Sequence, residues 1–420
     1  MMDKTTMLRL IDERKDELFS LLSSFIRINS ENFWSHGNEQ AMAEHVHALC
    51  RELGLESDLY SPLDLDGFTQ HPDYREGRNL ENRYNVTACW KGSEDRNELM
   101  LMAHTDTVEI GDPANWDGDP LSGEIRDGKI FGRGAGDDKY ALAAALFIIK
   151  LLKEQGFTPK ANLIFAAYSD EEHGGSHGAL ASVLKYPCPH IVSMDGDEGE
   201  IWHCGSGGQE RVYRYHTKDT VDSALLAASA LPVVLEEIGK FASRRCQELE
   251  ENRFYAGTAI PKASLRYMDV RAGNAGNDLG TGSVHFTFYT DKDKTTIEEE
   301  FVQLEKDLRD RLEPMGIIGD GFEANTRFFH YVFCEPDSED VMRMLAAARE
   351  ATGEEPIVCG SCLSDLSVIS KHGSSRAFGF GAGRNFSLPG GAHQPNEFIE
   401  CEALLKYTKT IALYVMDMLG

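Results

Sequence analysis

The sequence has few basic residues relative to acidic ones. It also lacks a long hydrophobic run and the regular cysteine spacing of a disulfide-bonded protein. Lysine and arginine number 42 against 69 aspartates and glutamates, which gives a formal net charge of −27. That balance argues against nucleic acid and anionic membranes as partners. The longest apolar run, near residues 140–149, is too short to cross a bilayer. The charged, helix-periodic N-terminus does not have the pattern of a signal peptide.

The nine cysteines are odd in number and follow no framework spacing. Several fall in apolar segments, where cysteine packs as a small hydrophobic residue. Cys359 and Cys362 form a single C-x-x-C pair with no second pair, which favours packing over a zinc or redox site. We therefore predict a reducing, cytoplasmic location.

At 420 residues the chain is too long for one ordinary core and is predicted to form two domains. Short apolar runs typical of buried parallel strands alternate with helical patterns, of which the clearest covers 139–156. The four strand-like runs are 98–106, 161–170, 189–195 and 375–383. This alternation predicts an α/β domain with a mostly parallel sheet.

A different order of elements occupies residues 208–334. The strand patterns there are 211–218, 262–270, 283–291 and 322–332, and the helix patterns are 222–241 and 296–312. Pro232 is expected to break the first of these helices. The order β-α-β-β-α-β predicts a ferredoxin-like domain, 208–334, inserted into a first domain made of 1–207 and 335–420.

Polar side chains follow the predicted strands at the points where the strands end. In parallel sheets the functional residues gather at those carboxyl ends. Two further candidates lie at the start of the 139–156 helix and in a late glycine-rich loop. The set, in chain order, is His104, Asp106, Asp137, Glu171, Glu172, Asp195 and His393.

Each of these motifs has a simpler explanation when it is taken separately. Asp137 and Asp138 could merely favour the start of a helix, and a histidine two residues before an aspartate is common in polar loops. Together, however, imidazoles and carboxylates are ligands that suit zinc, manganese or cobalt rather than calcium. Two histidines and three carboxylates can hold two ions roughly 3.5–4 Å apart if one carboxylate bridges them.

The sequence resembles the M20 metallopeptidase family, which includes carboxypeptidases, dipeptidases, aminoacylases and amino-acid deacylases. The motifs HTDTV, DGKIFGRGAGDDK, SDEE, SMD and GGAHQPNE occur in the family's order, as does its serine–aspartate pair, Ser364 and Asp365. The resemblance covers almost the whole first domain. It implies an amidohydrolase that cleaves a small N-acyl amino acid or a dipeptide with two divalent ions, either zinc or else manganese or cobalt.

Five residues match the family's metal ligands, and the resemblance implies a place for each. They are His104, Asp137, Glu172, Asp195 and His393. His104 and Asp195 would hold one ion, Glu172 and His393 would hold the other, and Asp137 would bridge the two.

Two more motif residues would act beside the ions. Asp106 would orient His104, and Glu171 would be the general base of amide hydrolysis. The family also leads us to expect a cis peptide bond between Asp137 and Asp138.

The inserted domain matches the family's lid, through which members often dimerise. His216 is the nearest candidate for the lid histidine that stabilises the oxyanion of the transition state. Asn277 resembles the lid asparagine. The usual lid arginine has no counterpart here, and Arg384 is a candidate substitute for binding a substrate carboxylate.

Two other functions remain open at this point. One is a non-catalytic metal-binding relative, which would lack a ligand or the base, whereas all of them are present here. The other is a two-metal phosphoesterase, which the ligand types alone permit but the paired Glu171–Glu172 and the insert disfavour. Amide and phosphate-ester assays of metal-loaded protein separate these alternatives.

Overall fold

The computed structural model describes residues 3–273 and 278–420 of the chain. The described chain forms two compact units. The first comprises the chain up to Cys204 together with Phe333–Cys359 and Val368–Gly420, and the second comprises Gly205–Val332 with Gly360–Ser367. Within the two described ranges, no helix is both long enough and apolar enough to cross a membrane.

Helices and strands are numbered here in chain order. The helices are α1 (Lys4–Glu13), α2 (Lys15–Ile26), α3 (Gln40–Glu52), α4 (Lys139–Glu154), α5 (His177–Lys185), α6 (Ser223–Glu251), α7 (Lys294–Leu312), α8 (Glu339–Thr352), α9 (Leu366–Val368) and α10 (Cys401–Leu419). The strands are β1 (Glu56–Tyr60), β2 (Asn85–Trp90), β3 (Asn97–His104), β4 (Glu124–Arg126), β5 (Lys129–Phe131), β6 (Asn162–Tyr168), β7 (His190–Ser193), β8 (Ile201–Gly205), β9 (Gly207–Thr217), β10 (Leu265–Gly273), β11 (Thr281–Thr290), β12 (Ile317–Ala324), β13 (Val332–Phe333), β14 (Val358–Ser361), β15 (Phe378–Phe380) and β16 (Phe398–Glu400).

The first unit is built on a sheet whose central strands are parallel. Its strands follow the order β1-β2-β6-β3-β7-β15-β8-β13, and β14 also pairs with β8. The four strands β6, β3, β7 and β15 run parallel to one another. β1, β2 and β8 are antiparallel to the neighbours that connect them to this centre. The α/β class with a large, mostly parallel sheet is thus as predicted.

The register of the central strands brings their ends level with one another. Met102 of β3 is aligned with Ala166 of β6 and with Ser193 of β7. β6 is buried along its whole length, as expected for a strand with both faces covered. Because these strands are parallel and in register, the residues that follow them emerge at one edge of the sheet.

Helix α4 brings a further segment to that edge. Its alanines, leucines and isoleucines are almost all buried between the sheet and helices α2 and α10. The helix begins at Lys139 and ends at Glu154, just before the left-handed Gly156 that the sequence indicates as its stop. At its start, Oδ2 of Asp138 accepts the backbone N–H of His104 at 3.2 Å, which ties the helix start to the end of β3.

The second unit carries a four-stranded antiparallel sheet in the order β10-β11-β9-β12. Helices α6 and α7 pack against this sheet around a core that includes Phe241, Phe286 and Phe301. The chain order β9-α6-β10-β11-α7-β12 is the ferredoxin-like order that the sequence predicts.

Two local predictions in this unit are wrong. Helix α6 continues unbroken through Pro232. Burial of Ala230 and Val234 on either side keeps the helix on the sheet, and this packing outweighs the cost of an internal proline, about 3 kcal/mol. The last strand, β12, lies earlier than predicted, because it starts directly after the left-handed Gly316 and ends at Ala324.

Candidate metal centre

Three strand ends bring predicted site residues to one edge of the central sheet. His104 is the last residue of β3, Glu171 and Glu172 follow β6, and Asp195 follows β7. His104 is fully buried. Donor atoms of His104, Asp137 and Glu172 lie within 4.8 Å of one another, which is close enough for a shared ion.

Asp137 lies between the two predicted histidine ligands. Its Oδ1 is 2.8 Å from Nε2 of His104, and its Oδ2 is 3.0 Å from Nε2 of His393. Each oxygen of this carboxylate therefore faces a different imidazole, which is the arrangement that a ligand bridging two ions requires. The peptide bond between Asp137 and Asp138 is cis, as expected.

The surroundings of His104 decide which of its ring nitrogens is free to bind an ion. Its Nδ1–H donates to the backbone carbonyl of Asp106 at 2.9 Å, so the neutral ring has its lone pair at Nε2. That lone pair faces the oxygen of Asp137 across 2.8 Å. Two facing lone pairs at this distance need a proton or a cation between them, and the donor set therefore fits a metal ligand at Nε2.

Glu172 and His393 form the other half of the cluster. Oε2 of Glu172 is 2.9 Å from Nε2 of His393. The other carboxylate oxygen, Oε1, accepts the backbone N–H of Val108 at 3.0 Å, which holds the side chain in place. The side chain of His393 is 47% exposed, so this half of the cluster opens to solvent.

The electrostatics of the cluster show a shortage of positive charge. Burial, together with the Asp137 carboxylate, raises the pKa of Asp195 to about 8. The same two influences raise the pKa of Asp197 to about 7. The Glu172 carboxylate raises the pKa of His393 to about 12. Divalent cations would relieve this repulsion, and the residues present fit such a metal centre.

Asp106 makes contacts that the sequence does not indicate. Its Oδ2 accepts the backbone N–H groups of Glu171 at 2.9 Å and Glu172 at 3.1 Å, and the side-chain amide of Asn32 at 2.7 Å. Its Oδ1 is 3.7 Å from Nδ1 of His104, whose hydrogen goes to the carbonyl of Asp106 instead. The Asp106 carboxylate therefore holds the turn that carries both glutamates.

Asp170, directly before Glu171, is the centre of a buried ionic network. Its backbone is left-handed, with φ at 64°, and its side chain is fully buried. Oδ1 accepts hydrogen bonds from the guanidinium of Arg78 and lies 3.4 Å from that of Arg83, while Oδ2 is 2.6 Å from Nδ1 of His177. The sequence motifs do not single out Asp170 or His177. No local signal reveals the network, because its arginines belong to a distant part of the chain.

Asp170→Asn is expected to destabilise the fold by about 3–5 kcal/mol, because it leaves the Arg78 guanidinium buried without its counter-charge. Although burial opposes ionisation, the His177 bond and the two guanidinium groups hold the pKa of Asp170 below its usual value. The charged form of Asp170 therefore stabilises the fold. This contribution is fully present above the pKa of unfolded aspartate, about 4, and is lost progressively as pH falls from there through the lower pKa of the folded state. Denaturant unfolding should be measured at about pH 7 and pH 3. The difference in the free energy of unfolding between wild type and Asp170→Asn should be smaller at the lower pH.

Asp58→Asn is the matched control for this prediction. Asp58 accepts hydrogen bonds from Lys185 at 2.7 Å and Tyr186 at 2.5 Å in a half-exposed position. Loss of a surface pair of this kind costs about 0–1 kcal/mol. If Asp170→Asn costs no more than Asp58→Asn, the buried network does not stabilise the fold as argued.

Arg384 is engaged by its own loop. Its Nε donates to the backbone carbonyl of Pro389 at 3.1 Å, and its guanidinium lies 5.0 Å from the centre of the Phe398 ring. These contacts hold the side chain within the loop that also carries the GGAHQPNE motif.

Three of the other predicted residues belong to the second unit. His216 lies on β9, and its Nδ1 is 2.8 Å from Oδ1 of Asp320 on β12. Ser364 and Asp365 also belong to the second unit. Asn277 lies outside the described residues.

One sequence family matches most of the chain. The model of peptidase family M20/M25/M40 matches residues 100–417. An uncharacterized metallohydrolase of Methanocaldococcus jannaschii is 33% identical over 177 residues, which are 41% of this chain and 39% of that protein. A succinyl-diaminopimelate desuccinylase of Wigglesworthia glossinidia brevipalpis is 42% identical over 80 residues, or 19% of this chain and 21% of that protein. The chain thus matches less than half the length of these relatives.

The fold is also shared with solved structures. A di-peptidase from Saccharomyces cerevisiae superposes with a TM-score of 0.74 at 15% sequence identity, over 98% of both chains. At this identity the likeness shows the fold alone, and it confirms the predicted fold class.

Proposed function

The chain belongs to peptidase family M20/M25/M40, and on that basis we propose that it is a dinuclear metal-dependent amidohydrolase. Its substrate would be a small N-acyl amino acid or a dipeptide. The observation that carries the proposal is the position of Asp137, whose two carboxylate oxygens face the Nε2 atoms of two different histidines. The family match also confirms the resemblance stated from the motifs.

The proposed ligands divide into two sets that share one carboxylate. His104 and Asp195 would hold one ion, Glu172 and His393 would hold the second, and Asp137 would serve both. Zinc is the expected metal, with manganese or cobalt as alternatives. When bound, two such ions would lower the pKa of a water molecule and polarise the carbonyl group of the amide.

Glu171 is the proposed general base. Its backbone N–H is held by Asp106 at 2.9 Å, while the neighbouring Glu172 side chain is directed to His393. The two adjacent carboxylates would therefore have separate tasks. Glu171 would accept a proton from the attacking water and deliver it to the nitrogen of the leaving amine.

The substrate class is proposed from the relatives and needs a direct test. One relative is named for desuccinylation and one structural neighbour for di-peptide cleavage, so both N-acyl amino acids and dipeptides belong in the screen, with zinc, manganese and cobalt in turn. Phosphate esters in the same screen test the two-metal phosphoesterase. Turnover of phosphate esters alone would contradict the proposal. A non-catalytic relative would turn over none of these compounds with any of the three metals.

The proposed centre would hold two ions, and a variant that lacks one of its ligands should hold less metal than wild type. We expect this centre to contribute two equivalents to the metal content of wild type and His104→Ala to hold fewer than wild type, because His104 supplies one ligand nitrogen. Elemental analysis of protein freed from unbound metal measures this. His47→Ala is the control, since His47 is bonded to Ser57 at 2.8 Å outside the cluster and should not change the metal content. Saturation at one equivalent that His104→Ala leaves unchanged would contradict the dinuclear centre.

The domain roles are part of the same proposal. Residues 1–207 and 335–420 would form the catalytic domain, and 208–334 would form a lid that also mediates a homodimer. His216, Asn277 and Arg384 remain proposed contacts to the substrate or transition state. A cytoplasmic location is proposed because all nine cysteines are free thiols.

A further inference from the structure

A second cluster of metal-ligand side chains lies in the first unit and shares no residue with the centre described above. Donor atoms of His71, Asp73 and His372 lie within 4.8 Å of one another. Nε2 of His372 is 2.6 Å from Oδ2 of Asp73. The two imidazole rings meet edge to face, with their centres 4.7 Å apart.

The burial of these three side chains differs in a way that suits an ion. The Asp73 side chain is 5% exposed and that of His372 is 18% exposed, while His71 is half-buried. A carboxylate withdrawn from water needs a charged or hydrogen-bonding partner. The two imidazoles remain accessible, so a cation can reach the carboxylate from solvent.

His372 is presented by an uncommon piece of backbone. Residues Ile369–Gly373 form a single π-helical turn. Such turns are rare and are frequently found at functional sites. A Cβ at Gly373 would lie only 2.8 Å from Ile191 and 2.9 Å from Val183, so the turn packs tightly on β7 and α5. The backbone that carries His372 is therefore held against these two elements.

His71 and Asp73 are held by a turn of their own. The N–H of His71 donates to the carbonyl of Phe68 at 3.1 Å, and the N–H of Tyr74 donates to the carbonyl of His71 at 2.9 Å. Phe68 is buried and meets the Tyr74 ring edge to face. The backbone N–H of Asp73 donates to Nδ1 of His71 at 3.1 Å, so Nδ1 carries a lone pair rather than a proton, as a metal ligand must.

We propose that His71, Asp73 and His372 form a further divalent-cation site, suited to zinc. Two imidazoles and one carboxylate are donors that zinc binds at about 2.0–2.2 Å, and a water molecule can complete a four-coordinate ion. The His372–Asp73 contact has the same form as the histidine–carboxylate contacts of 2.8–3.0 Å around Asp137. Binding would break the His372–Asp73 hydrogen bond and the Asp73 N–H bond to His71. The Nε2 proton of His372 would be exchanged through solvent for one at Nδ1, so that the ring stays neutral and its Nε2 lone pair faces the ion.

An ion at this site would act on stability. His372 and Asp73 are 299 residues apart in the sequence. A cation bound to both the loop and the π-helical turn closes a long stretch of chain, and such a link opposes unfolding. Zinc bound here would therefore stabilise the first unit independently of hydrolysis at the other centre.

The first test compares the zinc content of matched variants. Metal-free protein is loaded with Zn²⁺, freed from unbound ion and analysed for metal, beside His71→Ala, His372→Ala and the control His47→Ala. Each of the first two variants is expected to hold one equivalent less than wild type, and His47→Ala the same as wild type. Because the result is the difference between chains, it does not depend on how many ions the proposed catalytic centre holds.

The second test follows stability in a His104→Ala background, where the catalytic centre is impaired. Zn²⁺ is expected to raise the thermal unfolding midpoint of His104→Ala. The rise should be smaller in the double variant that also carries His71→Ala, because the proposed site is then missing. His71→Ala also serves if His372→Ala does not fold, because the His71 side chain makes a single hydrogen bond, at 3.1 Å, among the described residues. The proposal is wrong if the zinc content and the zinc-dependent rise of the midpoint are the same with and without His71. The cluster would then be a set of hydrogen-bonded side chains that binds no ion.

Discussion

Glu171→Gln is expected to lower kcat for amide hydrolysis by about 10²–10⁴-fold, the usual contribution of a positioned general base. Glutamine keeps the size of the side chain and the backbone N–H bond to Asp106, but it cannot accept a proton from water. The fold and the metal content should therefore stay as in wild type. The measurement is kcat on a substrate found in the screen, with bound metal determined on the same samples.

Glu172→Gln is the matched control, because the two residues are adjacent and both backbone N–H groups bind Asp106. Its carboxylate lies 2.9 Å from the His393 ring, so this substitution should weaken one metal site first. Activity should fall as a consequence and be partly restored by excess metal. If Glu171→Gln keeps a near-normal kcat, or loses an ion as Glu172→Gln does, the two roles are wrongly assigned.

Asp137→Asn should have the largest effect on metal binding. Asparagine has nearly the same shape as aspartate, but it has one oxygen and no charge. It therefore cannot offer one ligand oxygen on the side of His104 and another on the side of His393. Loss of an indirect partner of a metal ligand already costs about 10- to 100-fold in metal affinity or activity. Loss of the shared ligand should exceed that range and weaken both ions together. Calorimetric titration of metal-free protein and kcat at saturating metal measure the two effects.

Asp127→Asn is the control for this second substitution, because Asp127 lies in the turn between β4 and β5 with its side chain 87% exposed. It should bind metal and turn over substrate as wild type does. Two ions bound by Asp137→Asn with the affinity of wild type would contradict a bridging carboxylate.

The candidate residues at the strand ends could be picked out because of how buried parallel strands are composed. β3, β6 and β7 are short apolar runs, and a polar residue that closes such a run stands out from it. His104, Glu171 and Asp195 were found in this way, and their meeting at one edge follows from the parallel register.

Asp106 shows where residue spacing is insufficient. The family resemblance implies that this carboxylate orients the imidazole of His104, two residues before it. In the fold the backbone carbonyl of Asp106 accepts the Nδ1–H of His104, and the carboxylate binds the N–H groups of Glu171 and Glu172. Which oxygen meets which hydrogen depends on the conformation of two turns, and the sequence pattern does not contain that information.

Pro232 illustrates the limit of local propensity. Proline disfavours a helix interior at every such position, so a break is the reasonable expectation from sequence. In the second unit, however, the apolar residues around it are buried against a sheet, and α6 continues. Tertiary packing outweighed the local preference.

The sequence by itself determined the family, the order of the helices and strands and the types of ligand at the candidate metal centre, because these depend on short motifs and local periodicity. Only the tertiary structure decided that Asp137 faces two histidines, that Asp170 meets Arg78, and that His372 meets Asp73. Those pairs join residues far apart in the chain. Their contacts follow from the packing of whole elements, which no local pattern of residues specifies.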